Sequence, residues 1–247
     1  MAMKISLAGA RFRNGDISFN LQQIRRFMDR AKAQGAELVC FGEAFLQGFD
    51  AFSWTYEKDC RMAVSVQDEL FAQLLALTQE FQTELLLGFL ERDGERLYSS
   101  CALMGGGELV QLYRRVSVGW KEYTITDEHY CEGEAPTTFV YRGRKCAIAL
   151  CGDLWDVTAP LFKQDQEVLF WPLYINYSAE EWHGAANEKK AYAEKAAEFG
   201  GDVLMINCVD EPGISDSPAL GGCCWFRNGK VQAEWPLGGE GMLTVEI

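Results

Sequence analysis

This 247-residue chain has two histidines, and its nine cysteines contain no Cys-x-x-Cys pair. Structural and catalytic metal sites draw mostly on those residues at close spacing, so no metal is expected. Positive charge is also scarce. A formal net charge of -13 argues against nucleic acid, which is bound through clustered Lys and Arg. No hydrophobic run approaches the roughly 18 residues of a membrane helix, and the apolar stretch at the N-terminus is too short for a signal peptide. The chain also has no internal repeat visible in the sequence and no Pro- or Ser-rich linker, so residues 1–247 are expected to form one domain. The glycine run Gly105-Gly106-Gly107 has no helix after it and is not a phosphate loop. No cofactor is expected. The cysteine count is odd and several cysteines sit in apparent core strands, which points to reduced thiols and a cytoplasmic protein.

What is present alternates between strand and helix patterns. Strands are expected at Lys4–Ala8, Glu37–Phe41, Glu84–Leu90, Arg96–Leu103, Glu108–Val118, Thr137–Tyr141, Lys145–Leu150, Val168–Leu173, Val203–Cys208, Gly222–Phe226, Lys230–Trp235 and Met242–Ile247. Leu21, Ile24, Phe27, Met28 and Ala31 recur at helical spacing between an Asp16 cap and a Gly35 stop. Leu70, Leu74, Leu77 and Phe81 mark a second helix, and Ala185–Phe199 a third. Residues 119–134 form a long loop rich in charge and aromatics, and a loop of that length in a compact domain usually serves binding or catalysis. Trp171 through Trp182 reads as an aromatic loop suited to line a pocket. Strand–helix–strand units with inserted hairpins predict an α/β layered sandwich with mixed sheets.

Two strand ends carry chemistry. Cys146–Leu150 is apolar on both faces and ends on Cys151-Gly152-Asp153, where α/β proteins place their reactive groups. Leu38–Phe41 ends on Gly42-Glu43, an acid at an equivalent position. Taken alone, each has an ordinary explanation as a buried thiol or a loop acid. Together with the remaining landmarks they resemble the nitrilase, or carbon–nitrogen hydrolase, superfamily. Ala36-Glu-Leu-Val-Cys-Phe-Gly-Glu43 resembles the family's strand ending in Pro-Glu, and Gln47-Gly48-Phe49 its following Ser-Gly-Tyr. Leu87-Gly88-Phe89-Leu90-Glu91 and Leu97-Tyr98-Ser99 resemble its Gly-Leu-x-Glu and Tyr-Asn-Ser stretches. Tyr113-Arg114-Arg115 stands where the family has Tyr-Arg-Lys, and Cys151-Gly152-Asp153-Leu154 resembles Cys-x-Asp-Leu.

The resemblance implies a four-layer α-β-β-α sandwich with two mixed sheets, assembled as a homodimer or higher oligomer, and a Glu–Lys–Cys triad. Cys151 would be the nucleophile and Glu43 the base and acid that moves its proton. A cation and the Gly152 N–H would face the oxyanion. The departure is the cation, because Arg115 occupies the lysine position. Lys121, six residues on, is the substitute that remains in play beside Arg115. A further acid follows the lysine in this family; Glu128 is preferred here over Asp127 and Glu122. Phe45, Phe49, Trp120, Trp155, Trp171, Tyr174 and Tyr177 are the expected substrate contacts. The expected activity is cofactor-free hydrolysis of a small amide, carbamoyl compound or nitrile through a thioester. A silent ligand-binding relative and acyl transfer to an amine are the alternatives. The chain ends directly after its last expected strand, so no fused synthetase module is anticipated.

Overall fold

The computed structural model describes residues 2–155, 157–163, 165–213 and 217–247. The run at the N-terminus forms β1 (Lys4–Gly9), followed by the short β2 (Arg11–Phe12) and helix α1 (Ile17–Ala33). Asp16 starts that helix by accepting the Phe19 N–H at 3.0 Å, which satisfies one of the free first-turn donors. Then come β3 (Leu38–Cys40), α2 (Tyr56–Met62), α3 (Glu69–Phe81), β4 (Glu84–Asp93), β5 (Arg96–Gly105) and β6 (Glu108–Arg114). The second half holds β7 (Thr138–Tyr141), β8 (Arg144–Ile148), β9 (Val168–Leu173), α4 (Ala179–His183), α5 (Glu188–Ala197), β10 (Asp202–Asn207), β11 (Val209–Asp210), β12 (Cys223–Arg227), β13 (Lys230–Trp235) and β14 (Gly241–Glu246).

Two six-stranded sheets result, in the orders β14-β1-β3-β4-β5-β6 and β13-β12-β10-β9-β8-β7, with β2 and β11 paired separately. One buried cluster joins the sheets. It takes Ile5, Leu38, Leu86 and Cys101 from the first and Ile148, Leu169, Leu204 and Cys223 from the second. Helices α1 and α3 cover the outer face of the first sheet with Ile24, Phe27, Leu74 and Leu77. Trp182, Tyr192 and Ala196 of α4 and α5 join the cluster of the second. This is an α-β-β-α sandwich, and burying each large apolar side chain in it contributes about 1.5–3 kcal/mol.

The two sheets share a plan that no sequence repeat reveals. From β14 to β6 the pairings run antiparallel, parallel, parallel, antiparallel, antiparallel. From β7 to β13 they run in the same series. In this correspondence β3, which leads to Glu43, matches β9, and the two strand ends meet: the Glu43 N–H donates to the Leu173 carbonyl at 3.1 Å.

The expected elements differ from the structure in several places. The strand expected at Glu108–Val118 stops at Arg114, so Arg115 to Val118 lie in the loop that follows, and the short β2 and β11 were not expected. Helix α2 lies in a stretch whose polar residues hide its period. The aromatic segment from Trp171 is strand as far as Leu173 and forms α4 at Ala179–His183, where Ser178 and Glu181 make a capping box. The last helix starts at Glu188 rather than Ala185. No described helix is long and apolar enough to cross a membrane.

Candidate active site

Both strand ends are shaped by tight backbone. At Gly42 a Cβ would lie 2.7 Å from the Leu173 carbonyl oxygen and closer still to Cys208 Sγ. Only glycine lets the chain pass there and deliver Glu43 between the sheets. Glu43 is fully buried. Its Oε1 accepts from Ser99 Oγ at 2.8 Å and from Arg115 Nη1 at 3.0 Å. Oε2 meets no hydrogen-bond donor among the described residues, and the Glu43 carboxyl lies close enough to the Cys151 thiol to raise its pKa.

Cys151 begins a 3₁₀ turn, Cys151–Leu154, with φ at +40°. A non-glycine residue in that region is strained by about 1–3 kcal/mol and persists only where its surroundings hold it. Two groups hold it here. Trp171 Nε1 donates to the Cys151 carbonyl at 2.9 Å. Asp153, buried, accepts the Leu150 N–H at 2.7 Å. Asp153 also accepts from Tyr113 Oη at 2.5 Å, Ser117 N at 2.8 Å and Val116 N at 3.1 Å. That carboxylate thus ties the turn carrying Cys151 to the loop carrying Arg115. Gly152 N–H is among the first donors of the 3₁₀ turn, which have no partner within it.

Burial pushes the Cys151 thiol up to about 12; the Glu43 charge pushes the same way, and Arg115 pulls it down. At neutral pH the group is therefore a thiol facing a carboxylate, not a preformed thiolate. Arg115 is 4% exposed. Its Nε donates to Ser117 Oγ at 2.8 Å and its Nη2 to the Val118 carbonyl at 3.3 Å. Burial works against its charge, whereas Glu43, Cys151 and Asp153 favour it, and the net direction is up.

Of the two cations weighed from the sequence, the structure brings Arg115 to Glu43 and Cys151. The Lys121 ammonium is taken up by the Tyr130 carbonyl and by Glu132, 3.1 Å away. Glu132 lines a separate cavity of about 870 Å³ with Arg96, Arg114 and Thr137, and Glu43, Arg115 and Cys151 do not line it. Glu128 is exposed, and its carbonyl accepts from Cys131 Sγ at 3.3 Å. Asp127 caps His129, and Glu122 is exposed.

The aromatic candidates fall into four groups. Phe49 stacks on Tyr174 at 4.5 Å, and the Tyr174 carbonyl faces Cys151 Sγ at 3.7 Å. Phe45 is wholly buried against Phe41. Trp120 packs on Tyr130 in a small core with Phe52, and its buried indole N–H has no acceptor among the described residues. Trp155, Trp171 and Tyr177 ring Tyr192. Tyr192 and Tyr177 lie near enough to Cys151 for its charged form to push their pKa values up, behind burial as the main cause. Tyr192 and Ser117 had no signal in the sequence beyond their places in an expected helix and strand, whereas Ser99 and Asp153 stood in motifs that did not reveal their hydrogen-bonding roles. Among the described residues, no cluster of His, Cys, Asp and Glu is arranged to hold a metal ion.

The fold and this cluster define a class: an α-β-β-α sandwich with a thiol, a carboxylate and a cation gathered between its sheets. The chain belongs to the carbon-nitrogen hydrolase family, which it matches over residues 4–247. It is 25% identical over 161 residues to a glutamine-dependent NAD(+) synthetase of Thermotoga maritima, covering 64% of this chain and 27% of that protein. It is 24% identical over 218 residues to an arylacetonitrilase of Aspergillus niger, covering 80% of this chain and 63% of that one. The chain thus spans between about a quarter and two thirds of the length of these relatives. Among solved structures, the glutamine-dependent NAD+ synthetase of Acinetobacter baumannii superposes with a TM-score of 0.81 at 20% identity, over 100% of this chain and 45% of that one. An amidase variant from Nesterenkonia sp. AN1, with acrylamide added at its active-site cysteine, gives 0.79 at 19% identity, over 99% and 93%.

Proposed function

We propose that this protein hydrolyses a small carboxamide, carbamoyl compound or nitrile through a thioester on Cys151. The observation that carries this reading is the buried cluster in which the Arg115 guanidinium hydrogen-bonds Glu43 and both groups act electrostatically on the Cys151 thiol. For an amide, Glu43 removes the thiol proton as sulfur attacks the carbonyl carbon, and the carbonyl oxygen takes the electron pair. Glu43 then passes that proton to the nitrogen, the C–N bond breaks, and ammonia or an amine leaves. Water attacks the thioester and gives one proton to Glu43, which returns it to the departing thiolate. The carboxylic acid is released and the enzyme restored.

Arg115 has five N–H donors; three are engaged by Ser117, Glu43 and Val118, which leaves two. Those two and the Gly152 N–H are the donors available to the oxyanion. Lys121, the other cation considered, is engaged by Glu132, which favours Arg115 for the role. Phe49, Tyr174, Tyr177 and Trp155, each partly exposed, supply apolar walls. The relatives named above include glutamine-dependent enzymes and arylacetonitrilases, so glutamine and arylacetonitriles belong in the first substrate panel. Intact-mass spectrometry with a panel of amides and nitriles tests the proposal. An adduct on Cys151 with release of ammonia, both lost in Cys151→Ala, is the expected result. Binding of panel compounds with neither adduct nor ammonia would instead establish a silent ligand-binding protein.

A further inference from the structure

The arginine raises a steric problem that the turn at Cys151 solves. A Cβ built on Gly152 would stand 2.6 Å from Arg115 Nη2, 3.6 Å from its Cζ and 3.2 Å from Ser117 Oγ. A contact at 2.6 Å is inside van der Waals range, so either the guanidinium or the loop would have to move. The loop is not free to do so, because Asp153, the residue after Gly152, holds the backbone N–H groups of Val116 and Ser117. The guanidinium is held as firmly, by Ser117 Oγ, Glu43 and the Val118 carbonyl. Glycine is not needed here for its backbone freedom, since Gly152 is not among the residues with positive φ. What position 152 lacks is volume, and the guanidinium stands beside that space.

We propose that Gly152 and Arg115 are a matched pair: the absent side chain at 152 makes the room that lets a planar guanidinium, rather than a slimmer ammonium, serve as the cation beside Cys151. Gly152 is on this view a positioning residue in addition to an N–H donor. A lysine at 115 carries a single nitrogen at its tip and no second arm towards position 152. A methyl group at 152 therefore displaces arginine and leaves lysine undisturbed. This rests on the reading of Arg115 as the site's cation, but its test needs no turnover.

The test is the pH dependence of Cys151 alkylation by iodoacetamide, followed by peptide mass spectrometry in four proteins: wild type, Gly152→Ala, Arg115→Lys and the double variant. Arg115 pulls the thiol pKa down, so displacing it moves the alkylation midpoint to higher pH. The expected shift for Gly152→Ala is about one pH unit in the arginine background. In the Arg115→Lys background Gly152→Ala adds no further shift, the non-additivity expected of groups in contact. A Gly152→Ala midpoint equal to wild type, or an equal shift in both backgrounds, overturns the pairing. Where Gly152→Ala does not fold, the double variant decides: a folded protein with the Arg115→Lys midpoint supports the pairing, and an unfolded one overturns it. Absence of amide turnover in wild type would count against the proposed function while leaving these midpoints interpretable.

Discussion

Arg115 Nη1 stands 3.0 Å from Glu43 Oε1, with 4% and 0% of the two side chains exposed. An ion pair this deep gives little net stability, because desolvating two charges costs about as much as their attraction returns. Its presence in the core fits the proposed chemistry better than a role in folding. The thermodynamics and the catalysis can therefore be pulled apart.

The first prediction follows from that separation. Arg115→Met leaves the Glu43 carboxylate buried without its cation, a loss of about 3–5 kcal/mol in unfolding free energy. Adding Glu43→Gln removes the orphaned charge, and the double variant should recover most of that loss while remaining inactive. Urea unfolding of Arg115→Met, Glu43→Gln and the double variant measures this. Losses that simply add would mean the two side chains are not energetically coupled.

A second prediction sets alkylation against turnover. The Glu43 charge raises the Cys151 pKa, behind burial as the largest cause. Removing the charge in Glu43→Gln must lower that pKa from about 12, so iodoacetamide reacts at lower pH than in wild type. Amide turnover moves the other way and falls by about 10²–10⁴-fold, because the proton has no carrier. A midpoint that rises in Glu43→Gln would show that the carboxylate does not face the thiol.

The two candidate cations separate by turnover. Arg115→Ala should reduce acylation of Cys151 by about 10²–10³-fold, the cost of one oxyanion donor group. Lys121→Ala removes a partner of Glu132 and the Tyr130 carbonyl. It should cost about 1 kcal/mol of stability and leave acylation near wild type. Single-turnover rates with one responsive amide measure both. The reverse order of effects would return the role to Lys121.

Reading the fold from the sequence worked where burial is periodic. Val168–Leu173 is apolar throughout because β9 is central and covered on both faces, and its bounds agree with the strand formed. Helix α2 escaped because Glu57, Lys58 and Arg61 interrupt its apolar face and its main buried residue is Asp59. The positions of Cys151 and Glu43 at strand ends were legible because strand ends follow from hydrophobic pattern. The choice between Arg115 and Lys121 was not. It depends on where a long side chain points from an irregular loop, and that is set by Ser117 and Val118, which have no pattern to read, and by Asp153, whose motif does not say which backbone groups it holds. The shared pairing order of the two sheets was invisible for a related reason: β-pairing constrains direction and burial, not residue identity.

The last prediction concerns what keeps the turn and the loop together. Asp153 accepts from Tyr113 Oη and from three backbone N–H groups, on Leu150, Val116 and Ser117. In Asp153→Asn one carboxylate oxygen becomes an NH₂ that faces donors, and each buried N–H left unmatched costs about 1–3 kcal/mol. Tyr113→Phe removes a single donor and leaves the three backbone bonds in place, so it should lose about 1 kcal/mol and keep the wild-type alkylation midpoint. Asp153→Asn should lose two to three times as much and also shift that midpoint upward, since the loop carrying Arg115 is then released from the turn carrying Cys151. Thermal unfolding and alkylation of the two variants side by side measure both effects. Equal stability losses with unchanged midpoints would mean that the loop is held by something other than this carboxylate.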